Sequence, residues 1–456
     1  MKRAVVACML CGCWSMAPKY ERPAAPVPAQ LPGGQGAAKA VDVPLAVFVK
    51  EPRLLQLLDR VVTGNRSLRR TVLDIESARQ LYRIQRAAQL PAIDATLGGT
   101  KARQFIGFPS QPTFDVTYYA AGVGLSAWEI DLFGRLKSLS DAKLQAYLAA
   151  VETARAARIS LVAEAATAYV TLAADRSRLV IAKDTMATSQ KAMELTAALV
   201  GGGTSNRGDY WQAATVYQQA RADVALLTAA IVQDRNALEL LAGGPLDDSL
   251  LPQALPDKLD WFADVPVGLS STVLLERPDV LAAEHELIAA NANIGAARAQ
   301  FFPKLALTAS GGLVSLALAT LFTGPTAVWT FAPSLAIPLF RGGANRANLA
   351  YSETQKQAMV AAYELAIQTA FREVADALAT RATIDEQLAA QVALVDAADK
   401  GLDLAQARYK AGIDTFLTTL VSERALYAAK NSLVATQLSA LANRIALYRV
   451  LGGGLK

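Results

Sequence analysis

Apolar and polar residues alternate one by one along four stretches of the chain. At 303–313, Leu305, Leu307, Ala309, Gly311 and Leu313 take one parity, and Lys304, Ala306, Thr308, Ser310 and Gly312 the other. At 328–339, Trp329, Phe331, Leu335, Ile337 and Leu339 oppose Thr330, Ala332, Ser334 and Ala336. Shorter alternation at 93–100 sets Ile93, Ala95 and Leu97 against Asp94, Thr96 and Thr100. At 114–132, Phe114, Val116, Tyr118, Trp128, Ile130 and Leu132 oppose Asp115, Thr117, Glu129 and Asp131, while Val123 and Leu125 interrupt the polar parity. Period-two patterning predicts strands with one apolar and one polar face. They run about ten residues or more, the length that crosses an outer membrane at a tilt. Pro333 and Pro338 confine the last to an edge, a strand end or a bulge. The Gly- and Pro-bearing segments 104–112 and 321–326 read as exposed loops between paired strands. Four strands cannot close a barrel. If they cross lipid, several chains must pool them, because an open edge leaves backbone groups unpaired, and three chains would supply twelve.

A different period governs 136–199, which holds neither Gly nor Pro. There Leu144, Leu148, Val151, Ile159, Val162, Tyr169 and Leu172 step by three, four or multiples near seven, predicting a long helix with a coiled-coil-like seam. At about 1.5 Å per residue it reaches roughly 96 Å. The span 344–411 does the same with Met359, Tyr363, Ile367, Phe371, Val374 and Leu378, then Leu388, Val392, Val395 and Leu402. Glycine turns at 201–203 and at Gly412 return each helix as an αα-hairpin. Alanine on several faces suits hairpins that pack with neighbours on both sides, and a ring of them is a cylinder.

The chain says these things twice. Arg86 and Pro91 of the run 83–91 correspond to Arg298 and Pro303 of 293–303. Leu132-Phe133-Gly134 answers 339–342, and Gly203 answers Gly412. Each copy orders a helix, two strands, a very long helix, a glycine turn and a returning helix. Such self-similarity points to repeats closing around an axis. The predicted organisation is a signal peptide at 1–12, an extended tether at 13–50, a first repeat at 51–250, a linker at 251–272, a second repeat at 273–451 and a tail at 452–456. The two repeats form one intertwined body, since neither half carries a complete sheet.

Composition changes the picture in two places. No run of 18 apolar residues follows the N-terminus, which argues against a transmembrane helix, and the net charge of +5 is scattered without the basic blocks of nucleic-acid binders. All three cysteines, Cys8, Cys11 and Cys13, lie in the first thirteen residues, which excludes a disulfide scaffold or cysteine metal site elsewhere. Lys2-Arg3 followed by an apolar run reads as a secretory signal. Leu10-Cys11-Gly12-Cys13 resembles a bacterial lipobox, which makes Cys13 the lipidated first residue of the mature protein. Trp14, rather than Asp, after it favours the outer membrane.

Catalytic chemistry finds no support. Gly122-Val123-Gly124-Leu125-Ser126-Ala127 spells a dinucleotide fingerprint, yet the alternation runs on through Ile130 where a helix is required. His285 is the only histidine, which leaves His-based catalysis or a multi-histidine metal site unsupported. It reads as a hydrogen-bonded packing residue on a helix. No catalytic residue, metal or cofactor is expected.

The assembled features resemble the outer-membrane factors of bacterial efflux and secretion systems, the TolC/NodT-like family, especially its lipoprotein branch. The resemblance is carried by 276–303, beginning Glu276-Arg277-Pro278-Asp279, by Cys13 followed by 18–23, and by Trp128-Glu129-Ile130-Asp131-Leu132-Phe133-Gly134-Arg135. It implies a mixed α and β fold whose long antiparallel helical hairpins form a periplasmic α-barrel, with four strands per chain joining a trimeric twelve-stranded transmembrane β-barrel. It implies an exit channel that passively conducts substrates delivered by a periplasmic adaptor and an inner-membrane pump, with no chemistry of its own. The competing reading is a non-conducting, periplasm-spanning structural lipoprotein, which would not need paired strands. By the resemblance, Gly203, Asp209 and Gly412 sit at the periplasmic tip and adaptor contact. Leu417 and Val421 are expected to form the gate, with Asp414 or Glu423 as the substitute carboxylate. Val421 stands where the family carries an aspartate, so the constriction is expected to be mainly hydrophobic.

Overall fold

The structure, a computed structural model, describes residues 15–32, 43–108, 111–203, 206–256, 258–264, 270–323 and 325–453. Cys8, Cys11 and Cys13 lie outside the described residues. Two compact units divide the chain, Met1–Ala24, Asp74–Val151 and Ala282–Glu364 in one, Ala25–Leu73, Glu152–Leu281 and Leu365–Lys456 in the other. Each unit therefore draws on both repeats.

The first unit holds one antiparallel sheet in the order β1 (Asp94–Phe108), β2 (Gln111–Ile130), β3 (Lys304–Ser315) and β4 (Ala327–Ala336). Three differences from the sequence pattern have local causes. The segment 104–112 is largely strand rather than loop, because β1 runs to Phe108 and β2 begins at Gln111. β4 stops at Ala336, and Pro338, which lacks a ladder donor, lies beyond it. The third is a β-bulge between Leu125 and Trp128, where Ala127 takes φ 49°. Three steps along β2 oppose two along β3, and the one extra residue switches the parity of β2. Val123 and Leu125 thus share a face with Trp128 and Ile130, while Phe114, Val116 and Tyr118 fall on the other face. Pro333 stays within β4, an edge strand in this chain, opposite Leu307.

In the second unit, α1 (Pro52–Gly64) buries Leu54, Leu57, Leu58 and Val61 completely, one face stepping by three and four. α2 (Arg66–Ala87) follows directly. The core under α1 includes Tyr169 and Leu172 of α3 (Arg135–Gly201), Leu238 of α4 (Arg207–Ala242) and Phe48 and Phe262 from flanking segments. Burying a leucine side chain contributes about 1.5–3 kcal/mol, so this face anchors the unit. Much of the α3 seam is alanine (Ala163, Ala165, Ala166, Ala173), which lets backbones approach closely. In the second repeat, α5 (Pro278–Ala299) leads into β3, and α6 (Ala344–Lys410) returns as α7 (Phe416–Val450). Ile367 and Val374 of α6 are fully buried, yet Val392 is 53% exposed. The far half of that predicted seam is therefore not closed within one chain.

The repeats end their returning helices alike. Asn65 Nδ2 donates to the Leu241 carbonyl near the end of α4 at 2.9 Å, and Arg277 Nη1 donates to the Val450 carbonyl at the end of α7 at 2.9 Å. Both satisfy carbonyls that a helix terminus leaves open. Arg277, 7% exposed in its side chain, is itself held by Asp279 at 2.6 Å and Glu373 at 2.8 Å. A buried guanidinium needs such pairing.

Candidate functional site

Cross-strand register turns the sheet into two chemically distinct faces. One face stacks five rows: Ile130–Leu305–Leu335, Trp128–Leu307–Pro333, Leu125–Ala309–Phe331, Val123–Gly311–Trp329 and Ala121–Leu313–Ala327, with Leu97 beside Ala121. Its large side chains point to solvent, Leu97 at 73% and Trp329 at 81% exposure. A water-facing sheet does not carry such a band. At about 3.3 Å per residue, five rows cover about 26 Å along the strands, or about 20 Å once tilted. That is close to the height of an outer-membrane apolar belt, about 25 Å. Beyond the fifth row the same face turns polar. Tyr119 lies over Gly99, where an added Cβ would come 3.0 Å from the ring. Next comes Lys101 opposite Thr117, then Arg103 opposite Asp115, whose bidentate pair has contacts of 2.6 and 3.0 Å. Alongside the five rows the opposite face carries Asp94, Thr96, Thr308, Ser310 and Thr330 with Gly122, Gly124 and Gly312, mostly small or polar as a water-filled passage needs, with Val328 among them and Phe114, Val116 and Tyr118 farther along the same face.

At the foot of the sheet the chain turns sharply into α3. Asp131 Oδ2 accepts from the Lys137 amide at 2.7 Å, capping the helix, and Arg135 binds Glu129 at 2.7 and 2.8 Å. The glycine of this junction, Gly134, has φ 67°. Residues 15–22 are bound here. Ser15 Oγ lies 3.2 Å from Ser138 Oγ, and Asn291 Nδ2 donates to the Pro18 carbonyl at 2.7 Å. Tyr20 and Arg22 donate to Glu284 at 3.0, 2.7 and 2.6 Å. Ala17 packs so closely on Gly295 that a Cβ there would lie 2.6 Å from its amide nitrogen. Residues 284, 291 and 295 lie along α5, so the strap runs antiparallel to that helix. Within the predicted tether, residues 15–22 are pinned rather than free, and Leu45–Phe48 form a helical turn whose Phe48 is buried. Burial and the bond to Glu284 push the Tyr20 phenol above its usual range. Glu284, 8% exposed in its side chain, was not singled out in the sequence. The available signal was a carboxylate set among alanines beside His285. His285 itself bonds Gln145 at 2.7 Å, a packing contact.

The hairpin turns gather the remaining candidates. α6 ends with the Gly412 amide donating to the Tyr409 carbonyl and the Ile413 amide to the Arg408 carbonyl, each 2.9 Å. This is a Schellman motif, and Gly412 takes the required positive φ, 71°. Gly203 closes the other turn with φ 75°, and Asn206 caps α4 by accepting from the Asp209 amide at 2.9 Å. Ala213 and Val216 of α4 meet Phe416 and Leu420 of α7 in a small apolar cluster flanked by Met193 and Tyr409. Tyr427 donates to Asp223 at 2.7 Å, and Arg424 donates to Thr215, further tying α7 to α4. Asp414 is bound within its own turn by Arg408 at 2.6 and 3.0 Å. That bond holds its carboxyl below the usual range. Leu417 and Val421, one turn apart on α7, remain 45% and 55% exposed. Burial pushes Glu423 upward.

A sheet with a lipid-height apolar face, joined to helical hairpins of 67-residue outgoing helices, defines a membrane channel subunit. The chain belongs to the outer membrane efflux protein family, which it matches over 57–244 and again over 269–453, once for each repeat. It is 43% identical to the solvent efflux pump outer membrane protein SrpC of Pseudomonas putida, with 98% of this chain and 96% of that protein covered. It is 40% identical to the outer membrane protein OprJ of Pseudomonas aeruginosa, with 99% and 95% covered. The open state of the Neisseria gonorrhoeae MtrE outer membrane channel superposes with a TM-score of 0.84 at 38% identity, covering 97% of this chain and 99% of that one. The protein is an outer-membrane efflux channel.

Proposed function

We propose that three copies of this chain close a twelve-stranded barrel and a ring of helical hairpins, anchored by an acylated Cys13. Through it a periplasmic adaptor and an inner-membrane pump discharge small molecules to the exterior. The carrying observation is the sheet: its apolar face has the height of a membrane, yet β1 and β4 each leave an edge unpaired within the chain. An open edge in hydrocarbon costs several kcal/mol per unsatisfied group, so the barrel requires further copies. Val392, exposed on the half-closed seam, supports the same pooling among helices. The strap supports the anchor: Ser15, two residues after Cys13 in the sequence, meets Ser138 just after the strand-to-helix turn. A passage lined by Thr, Ser and Gly selects weakly, so the choice of cargo falls to the pump. Gly203, Asp209 and Gly412 form the tip that meets the adaptor. Leu417 and Val421 form an apolar gate, with Asp414 held in reserve by Arg408. Purified protein should run as a trimer in detergent and conduct ions in planar bilayers. A stable monomer that conducts, or a trimer that never does, would refute this reading. A non-conducting spacer would have no use for the lipid-facing rows.

A further inference from the structure

The repeats correspond residue by residue through their returning helices. Asp234-Arg235-Asn236-Ala237-Leu238 of α4 matches Asn443-Arg444-Ile445-Ala446-Leu447 of α7, and Gly243 matches Gly452, both with positive φ. In the second repeat, Asn443 is buried and its Nδ2 donates to the Ala377 carbonyl of α6 at 2.9 Å. The matching position on α3 is Ala168. It shares with Asp234 a cavity of about 480 Å³, also lined by Glu164, Thr167 and, from α7, Arg449. An ionised carboxylate has no donor to give a carbonyl, whereas a protonated one does. The Asp234 Oδ2 is buried and has no hydrogen-bond partner. The charged groups around it offer little relief. Arg235 is bound to Glu239 and Asp248, Arg178 to Asp175, and Arg449 to Glu373. Asp175 and Glu164 on α3 add negative charge.

We propose that Asp234 is a proton-operated clasp between α4 and α3. Protonated, its hydroxyl donates to a main-chain carbonyl in the Ala168 turn, as Asn443 donates to Ala377. Ionised, it lets go. Burial, helped by the Asp175 charge, pushes the carboxyl up to about 6. The folded value lies above the unfolded one, so the clasp's contribution is complete below the unfolded value and fades as pH rises through about 6. The first hairpin thus carries an acid-tightened joint where the second carries a permanent one.

The test uses the full-length protein in detergent. Infrared difference spectra of the unaltered protein should show a protonated-carboxyl band at about pH 5 that is gone by about pH 8, and Asp234→Asn should lack it. Amide exchange over 160–175 and 228–242, corrected for intrinsic rates, should slow about tenfold at pH 8 in Asp234→Asn and match the unaltered protein at pH 5, a tenfold change being one pH unit of occupancy. The absence of a titrating band from Asp234 would overturn the proposal, and that reading needs no variant to fold. So would exchange at pH 8 as fast in Asp234→Asn as in Asp234→Ala, since the carboxylate would then be the form in use, held by a cation of a neighbouring copy.

Discussion

Gly412 shows how much one residue can decide. Its φ of 71° is the left-handed conformation, and the Schellman motif there leaves no other way to end α6. A β-branched residue would pay about 1–2 kcal/mol in local strain. Gly412→Val should therefore weaken export, measured as efflux from intact cells, while the assembled channel still forms. Export that survives such changes at both Gly412 and Gly203 would show that neither turn docks a partner. Beside it, the Asp414–Arg408 pair depends on ionised Asp414, whose carboxyl is held below its usual range. Its contribution is present above the unfolded value and is lost as pH falls through the folded one. Amide exchange across 408–416 should accordingly rise in acid, and Asp414→Asn should remove that dependence. At the strap, Glu284→Ala leaves Tyr20 and Arg22 without their shared acceptor and should cost about 1–3 kcal/mol. Proteolysis of the segment 15–24 reads the release. If cleavage is unchanged, the strap is held by Gly295, Asn291 and Ser138 without Glu284.

At the scale of elements, the bulge at Leu125–Trp128 sets the membrane face. It turns Val123 and Leu125, which look like errors in an alternating strand, into members of one apolar band with Trp128 and Ile130. Val123→Lys should then act as a lipid-face charge and cost about 2–4 kcal/mol near the midplane. The same substitution at Thr117, in the polar rows past Tyr119, should cost far less. Folding yield of the two variants in bilayers of matched thickness checks this, and equal yields would mean that the band does not face lipid. On α7, Leu417 and Val421 form the exposed apolar turn next to the tip cluster. Leu417→Ser with Val421→Ser should raise single-channel conductance and antibiotic uptake. Unchanged conductance would put the gate elsewhere.

The whole molecule is held by exchange between repeats. Each compact unit contains segments of both, and the repeats reuse one capping scheme, with Asn65 on Leu241 and Arg277 on Val450. Arg277 explains a chemical demand behind the Glu276-Arg277-Pro278-Asp279 segment: one guanidinium closes a helix end and binds two carboxylates. Anchoring belongs to this scale as well. Cys13→Ser should abolish incorporation of labelled palmitate, and labelling that persists would sink the lipid assignment. Several acyl chains give stable attachment where one binds only marginally.

Local chemistry was enough to read the order of elements. Period-two and near-seven patterns and the glycine punctuation report forces that act within a few residues, so the four strands, the two long hairpins and their duplication were legible in the chain. The helices begin and end within two residues of the places where Gly and Pro predict, at Arg135–Gly201 and Ala344–Lys410. What depends on distant partners was not legible. A bulge changes strand parity only through pairing with β3, so the true membrane face needed the register. Whether a seam residue such as Val392 is covered depends on how many helices surround it, which no periodicity records. Glu284 looked like one more helix charge until Tyr20 and Arg22, more than 260 residues away in sequence, were found upon it. Asp234 differs from Asn443 by one amide, and only the buried, unpartnered oxygen in the folded chain gives that difference a physical meaning.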